Sequence, residues 1–268
     1  MTQVGTGGVS SLAAGFVPPG PGDFKLPDIV HGNQVLLTKA SFLLLLGGLL
    51  AVGLLLATIR KGAVVPSKLQ FAGEQAYSFV RDGIARDTIG ERDFRTYVPL
   101  LTSLFYFVLI NNLFGIIPFL QFPSFSRAGF AYGLAGLVWL IYNFVGARRH
   151  GLLGYLKLQT VPADVPGWIL PLLVPLEFLS NLIIRPITLS LRLFANMFAG
   201  HLLLLLFAGG ADYLLIHATG PLVKPAGVFS FIMGVLVGFL EIVVEFLQAY
   251  VFTLLTASYI SGALADQH

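Results

Sequence analysis

Long apolar stretches separated by short polar segments make up most of this chain. Three of them, at 41–59, 96–120 and 128–147, have roughly the 20 residues that a helix needs to cross the hydrocarbon of a bilayer. The last two stretches, at about 176–208 and 227–263, are longer. The pattern predicts an all-α polytopic membrane protein, with three ordinary spanning helices followed by two long C-terminal membrane helices.

The two long stretches exceed what a bilayer requires. Each has more than 30 residues, so as a helix each would extend roughly 50 Å at about 1.5 Å per residue, against about 30 Å of hydrocarbon. Ordinary tilts of up to about 40° do not absorb the whole excess. We therefore expect both helices to be strongly inclined and to lie partly along the membrane plane.

A different pattern separates the first apolar stretch from the second. Between 67 and 90, apolar residues recur at helical spacing while charged residues fill the positions between them. So many charges do not suit a membrane span. The segment predicts an amphipathic helix that lies at the membrane interface or packs on a partner.

Composition and charge indicate that the chain lies in a membrane and how it is oriented there. The chain is 56% hydrophobic and 11% charged, whereas an ordinary soluble domain has about 25% charged residues. Basic residues are concentrated at 60–95 and 148–157, so the positive-inside rule predicts that both segments are cytoplasmic. The N-terminal segment, 1–37, is then extracytoplasmic, and 38–268 form a single membrane domain with a cytoplasmic C-terminus.

The distribution of charge argues against a nucleic-acid-binding site, and the absence of cysteine excludes disulfides and thiolate metal sites. The net charge is +3, but the basic residues follow apolar stretches and do not form one polar face, so we expect no nucleic-acid partner. Without cysteine, neither disulfides nor thiolate metal sites are possible. We expect no metal and no cofactor.

Polar residues inside the first long stretch form a stripe. A charge at the bilayer centre costs roughly 3 kcal/mol or more, yet four polar residues fall within a narrow arc, because steps of three, four and seven residues return to one helix face. They are Arg185, Thr188, Arg192 and Asn196. Arg192 is too far from either helix end to reach the headgroups, which indicates a functional charge. Arg185 lies near the cytoplasmic end, where snorkelling explains it equally well.

The second long stretch carries acids on one face. Glu241, Glu245 and Gln248 share that face by the same spacing, and two neighbouring carboxylates in lipid repel each other. Packing therefore does not explain them well. His201, taken alone, also fits an interhelical hydrogen bond. The same explanation is favoured for two amides in the second span, Asn111 and Asn112.

Three segments resemble subunit a of the bacterial F-type ATP synthases. The longest is IRPITLSLRLFANMFAGH at 184–201, the second is LQAYVFTLLT at 247–256, and the third is NLFGIIP at 112–118. The resemblance implies that Arg192 is the family's essential arginine, which faces the carboxylates of a rotating ring of c subunits. It also implies that Asn196 and Gln248 are polar residues near that arginine.

The same resemblance implies roles for several ionisable residues. His201 and Glu241 match a pair that some members carry with the acid and the histidine exchanged. Glu245 is an additional acid, and the interval from Glu177 to Arg192 is one residue longer than in some members. The implied partners are the c-ring, the b-type peripheral stalk subunits and membrane lipid, and the implied location is the bacterial plasma membrane.

The expected function is proton conduction by a non-catalytic stator subunit without ATP chemistry of its own. Arginine suits a barrier between two half-channels because its guanidinium stays protonated. Our topology places His201, Glu241 and Glu245 in the outer half-channel and Glu177 toward the cytoplasm. The complete predicted proton path comprises His201, Glu241, Glu245, Asn196, Gln248, Thr188 and Glu177.

Three other functions are weighed against this one. A secondary transporter would be expected to show internal repeats or paired broken helices, and we find neither. A haem-binding electron carrier needs axial ligands on facing helices, and only His201 lies well inside a span. A purely structural membrane anchor leaves Arg192 unexplained.

Overall fold

A computed structural model of the chain describes residues 18–20, 39–59, 68–117, 124–161, 169–218, 220 and 222–265. All regular elements in these ranges are helical, which confirms the all-α prediction. The predicted extracytoplasmic segment, 1–37, lies outside the described residues except for 18–20.

The first three membrane-associated helices follow the apolar pattern closely. Helix α1 spans Lys39–Ile59, α4 spans Phe94–Leu113 and α5 spans Ala128–His150. Both α4 and α5 are long and apolar enough to cross a membrane, while the apolar stretch identified in α1 is Ala40–Leu56. Helices thus occupy all of the predicted spans 41–59 and 128–147 and the first part of 96–120.

The predicted end of the second span needs a correction. The helix stops at Leu113, because the chain turns there: the backbone N–H of Gly115 donates to the carbonyl of Asn112 at 2.9 Å. The apolar residues that follow are therefore not helical as far as Ile117, and the predicted last residues, 118–120, lie outside the described ranges.

The amphipathic helix forms where the pattern predicts it. Helix α2 spans Lys68–Val80, a π-helical turn follows at Arg81–Arg86, and the short helix α3, Asp87–Ile89, ends at Gly90. Gly90 has φ +91°, which favours glycine and stops the helix. The buried residues Val80 and Ile84 belong to the hydrophobic core, so the apolar side of this helix packs on the chain itself.

One helix was not predicted. Helix α6 spans Leu152–Thr160 and is separated from α5 by Gly151, which has φ +73°. The two helices pack closely, since a Cβ added at Gly146 would overlap the ring of Tyr155. A segment of nine residues is too short for the spacing of its apolar residues to identify a helix.

The two C-terminal helical segments are longer than predicted. The first is continuous over Leu170–His217 and the second, α9, over Val223–Leu264, with 48 and 42 residues. Within the first, α7 is Leu170–Phe178 and α8 is Arg185–Asp212, joined by a π-helical turn at Leu179–Ile184. A second π-helical turn, Tyr213–His217, ends it. Their inclination in the membrane stays a prediction.

The chain divides into two compact units. The described part of one unit is 18–20, 200–218, 220 and 222–240. In it the Ser230 hydroxyl donates to the Phe207 carbonyl at 3.0 Å, and a Cβ added at Gly234 would lie 3.4 Å from Phe207, so a small residue lets the two helices approach. The predicted single membrane domain stays a prediction.

The other unit comprises 26–199 and 241–268, within the described ranges. Its core includes aromatic contacts that fix the second half of α9 beside α2 and α4. Phe246 lies 5.8 Å from Phe105 and 6.2 Å from Phe79, and Tyr250 lies 5.6 Å from Phe79, measured between ring centroids. This packing positions the acidic face of α9.

Candidate functional site

Arg192 lies on the exposed side of α8. A neighbouring side of the helix packs into the core through Leu189 and Leu193, which are 2% and 0% exposed. Because this part of the chain is α-helical, Thr188 shares the Arg192 face as predicted, and both residues are exposed. Asn196, on the same face, is half-buried. The predicted stripe is therefore present on the surface of the chain.

Arg192 takes no part in the salt bridges found among the described residues. Those three bridges involve Arg81, Arg86 and Arg149, all of which lie outside α8. A guanidinium exposed at the middle of an apolar helix is costly in lipid unless an anionic group faces it. The site is therefore suited to a carboxylate supplied from outside this chain.

Arg185 has a different environment from Arg192 although the two residues share a face. Its guanidinium carbon lies 5.3 Å from the centroid of the Tyr259 ring, within cation–π range. The Tyr259 ring is in turn 5.5 Å from that of Tyr142. Arg185 thus packs against α9, which explains its position without snorkelling or a direct role in proton transfer.

Glu177 is held by an amide that the sequence analysis did not single out. The Nδ2 atom of Asn181 donates to Oε2 of Glu177 at 3.0 Å and to the carbonyl of Gln159 at 2.7 Å. The Tyr142 hydroxyl donates to the carbonyl of Asn181 at 3.4 Å. Asn181 is 9% exposed, so it connects Glu177 with α5 and α6 inside the protein. The sequence contained one indication of this contact, because Asn181 follows Glu177 by four residues and a helix places such residues side by side.

A π-helical turn lies between Glu177 and Arg192. In this turn the Arg185 N–H donates to the carbonyl of Ser180, five residues earlier, so the turn takes up one more residue than an α-helical turn. At about 100° per residue, the eight-residue step from Glu177 to Arg185 would leave them about 80° apart, whereas an effective step of seven leaves about 20°. Glu177 therefore joins the Arg185 side of the stripe.

The acids of α9 are buried and not exposed like Arg192. Glu241 is 7% exposed, Glu245 0% and Gln248 6%. The side-chain amide of Asn112 in α4 donates to the backbone carbonyl of Glu245 at 3.4 Å, which confirms an interhelical hydrogen bond for this asparagine. The structure also places Asn112, itself fully buried, beside the acidic face, which sequence reasoning did not foresee.

Several polar atoms around this acidic face are buried without a hydrogen-bond partner in the described part of the chain. A buried polar atom without a partner is costly, so this arrangement is suited to groups that exchange protons with bound water. The atoms are Oε1 and Oε2 of Glu245, Oε2 of Glu241, Nε2 of Gln248 and Oδ1 of Asn112.

His201 is buried, at 8% exposure, in the α8 segment of the smaller unit. Arg192, nine residues earlier, belongs to the other unit, so the predicted position of His201 on nearly the opposite side of the helix stays a prediction. Its predicted pairing with Glu241 stays a prediction.

Comparison with known proteins gives one consistent family. Residues 40–261 match a family model described as ATP synthase A chain. A protein named ATP synthase subunit a from a Nocardioides species is 53% identical over 264 residues, covering 95% of each chain. Proteins of the same name are 48% identical in Paenarthrobacter aurescens, covering 94% of this chain and 95% of the relative, and 43% identical in Streptomyces lividans, covering 95% and 90%.

Proposed function

Since this chain belongs to the ATP synthase subunit a family, we propose that it is the proton-conducting stator subunit of a rotary ATP synthase. In this function it forms two offset half-channels that load and unload the carboxylates of a c-ring. Proton flow through them is coupled to ring rotation and ATP synthesis. The observation that carries the proposal is the exposed Arg192, near the middle of an apolar helix and outside the described salt bridges.

The anionic group that Arg192 requires is assigned to the c-ring. Each ring carboxylate that reaches Arg192 is stabilised in its charged form by the guanidinium and releases its proton. Arginine keeps its own proton, so it cannot relay one directly between the two sides. Thr188 and Asn196, on the same face, contribute polar surface beside the ring.

The outer half-channel is assigned to His201, Glu241 and Glu245. The buried acids and amides of α9 and α4 support this assignment, because they provide unpaired oxygen and nitrogen atoms that can hold a line of water. Gln248 continues the same face of α9 toward the c-ring. Asn112 is a positioning residue, since it holds the backbone of Glu245.

The cytoplasmic half-channel is assigned to Glu177, which is fixed by Asn181. The π-helical turn brings Glu177 to the Arg185 side of the stripe, so a proton released beside Arg192 has an acceptor on the same side of the helix. Each proton that crosses yields about 2.3 kcal/mol per 100 mV of membrane potential. That energy drives the ring in one direction because the two half-channels do not connect.

The proposed partners are the c-ring, the b-type peripheral stalk subunits and membrane lipid. In the bacterial plasma membrane, the N-terminus lies outside and the C-terminus in the cytoplasm. The chain has no cysteine, so single cysteines report orientation without background. A cysteine replacing Arg148 should be labelled from the cytoplasm and one replacing Leu222 from outside, and the opposite pattern would reverse the two half-channels.

The test of the function uses the assembled complex in inverted vesicles. ATP-driven proton pumping should be lost in both Arg192→Ala and Arg192→Lys, because a lysine ammonium does not reproduce the fixed planar guanidinium. Arg148→Ala, which removes an exposed arginine at the end of α5, is the control and should pump normally. Near-normal pumping by Arg192→Ala at matched assembly would refute the proposal.

A further inference from the structure

Two neighbouring cavities lie where the amphipathic helix meets α1 and α4. Each has a volume of about 510 Å³, within the range of roughly 300–1,000 Å³ that is typical of ligand sites. They share Tyr77 and Arg81 as lining residues. One cavity is mainly apolar and the other mainly polar, so together they form a site with two chemically different halves.

The apolar half lies at one end of the membrane helices. It is bounded by Leu55 near the end of α1 and by Pro99, Thr102 and Tyr106 in the first half of α4. Two hydroxyls in its wall are occupied, since Thr102 donates to the carbonyl of Val98 at 2.8 Å and Tyr106 donates to that of Gly73 at 3.4 Å. Glu74 and Ser78 also line this half, but most of its lining surface is apolar. A hydrocarbon chain therefore fits this half better than a polar ligand does.

The polar half carries an excess of positive charge. Arg81, Arg86 and Arg95 line it together with two acids, Asp82 and Glu91. Arg81 pairs with Asp82 at 2.8 Å and Arg86 pairs with Glu91, and the hydrogen bond from Arg81 lowers the pKa of the Asp82 carboxyl. Within this half, three guanidiniums against two carboxylates leave one positive charge, while the Glu74 carboxylate lies in the wall of the apolar half.

Two features make these arginines available to a ligand. Both ion pairs are exposed, with side chains between 43% and 77% accessible, and exposed pairs contribute little stability. Arg95 takes no part in the salt bridges of the described residues. A phosphodiester can therefore bind Arg95 and share the other two guanidiniums without breaking a buried contact.

The location favours an amphiphile over a soluble anion. The chain leaves α1 at Ile59 and enters α4 at Phe94, so the segment between them lies at one face of the membrane. Exposed aromatic side chains are found here, with Phe71 53% and Tyr77 37% exposed, as is typical of the membrane interface. The guanidinium of Arg81 lies 5.9 Å from the Tyr77 ring, at the junction of the two halves.

We propose that these two cavities bind one anionic phospholipid, with its phosphodiester among Arg81, Arg86 and Arg95 and an acyl chain between Leu55 and Tyr106. The ligand holds the amphipathic helix to α1 and α4 at the membrane face. The site is separate from Arg192 and from both half-channels, so it does not depend on the proposed function.

The test uses the purified complete complex in nanodiscs and a phosphatidylglycerol that carries a photoreactive group in its acyl chain. Crosslinks should map to α1 and α4 around Leu55 and Tyr106. Arg95→Gln should reduce crosslinking about fivefold, in line with one arginine at a membrane surface. Arg148→Gln, an exposed arginine outside both cavities, is the matched control and should leave crosslinking unchanged.

Competition distinguishes lipid from other occupants. Unlabelled phosphatidylglycerol should displace the probe, whereas phosphatidylcholine and glycerol phosphate at the same concentration should not. Equal displacement by phosphatidylcholine would show unselective boundary lipid, and displacement by glycerol phosphate would show a headgroup site without the acyl half; either overturns the proposal. An absence of crosslinks, as expected if another subunit covers the cavities, would also overturn the proposal.

A second variant tests the apolar half separately. Leu55→Trp should fill part of the cavity and reduce crosslinking at α4, while proton pumping confirms that the complex is intact. Unchanged crosslinking in this variant would place the acyl chain elsewhere and overturn the site.

Discussion

The side-chain amide of Asn181 donates a 3.0 Å hydrogen bond to the carboxyl group of Glu177, one turn earlier along the same segment. The same amide nitrogen donates to the Gln159 carbonyl at 2.7 Å. An acid in an apolar helix is thereby held in one orientation by a residue that is itself anchored to another helix. The geometry makes Asn181 a positioning residue for the proposed cytoplasmic half-channel.

Replacing Asn181 should slow proton transfer without preventing assembly. Asn181→Ala removes a hydrogen bond to an ionisable group, and such bonds are worth about 1.5–3 kcal/mol, so ATP-driven pumping should fall about tenfold. Asn143→Ala is the control, since Asn143 donates to the carbonyl of Trp139 in its own helix at 2.7 Å. Equal rates for the two variants would leave Asn181 without a role in transfer.

The π-helical turn predicts that a deletion and an insertion at one position reduce the pumping rate to very different extents. Deleting the exposed Ile183 converts the turn to α-helix and keeps the effective phase between Glu177 and Arg192, so at least half of the pumping rate should remain. Inserting an alanine after Ile183 turns Glu177 by about 100° and should reduce the rate more than tenfold.

Both variants are compared at equal amounts of assembled complex, measured by copurification of the c-ring. If the deletion variant pumps as slowly as the insertion variant, the turn does not serve to orient Glu177.

Gly146 should be sensitive to the smallest enlargement. A Cβ there overlaps the ring of Tyr155, whose hydroxyl accepts a hydrogen bond from Gln159 at 2.7 Å. Gly146→Ala should therefore lower the free energy of unfolding by about 1–3 kcal/mol, measured as a lower Tm of the purified chain. Gly136→Ala in the same helix, where a Cβ meets open space, should not.

The predicted His201 and Glu241 pair is tested by exchanging its members. His201→Glu alone gathers a third carboxylate with Glu241 and Glu245 and should slow pumping by repulsion between the acids. Adding Glu241→His restores one imidazole and the original number of acids. The double variant should recover much of the rate, and a rate equal to the product of the single effects would show independent residues.

Residue spacing was sufficient to predict the helices and one face of the site. The apolar stretches at 41–59 and 128–147 became helices because hydrocarbon admits only segments whose backbone groups are paired internally. The stripe of Thr188, Arg192 and Asn196 followed from helical periodicity alone, since α8 is regular there. These are local properties, so the order of residues determines them.

The remaining features depend on contacts between distant segments, and only the tertiary structure decided them. Spacing placed Arg192 and Glu245 each on the polar face of its own helix. Packing then left Arg192 exposed and buried Glu245 beside Asn112, 133 positions earlier in the chain. The π-helical turn that reorients Glu177 has no compositional signature, because it differs from an α-helical turn by one shifted hydrogen bond. The sequence by itself determined which residues carry charge into the membrane, and the packing of helices decided which of those charges are exposed to a partner.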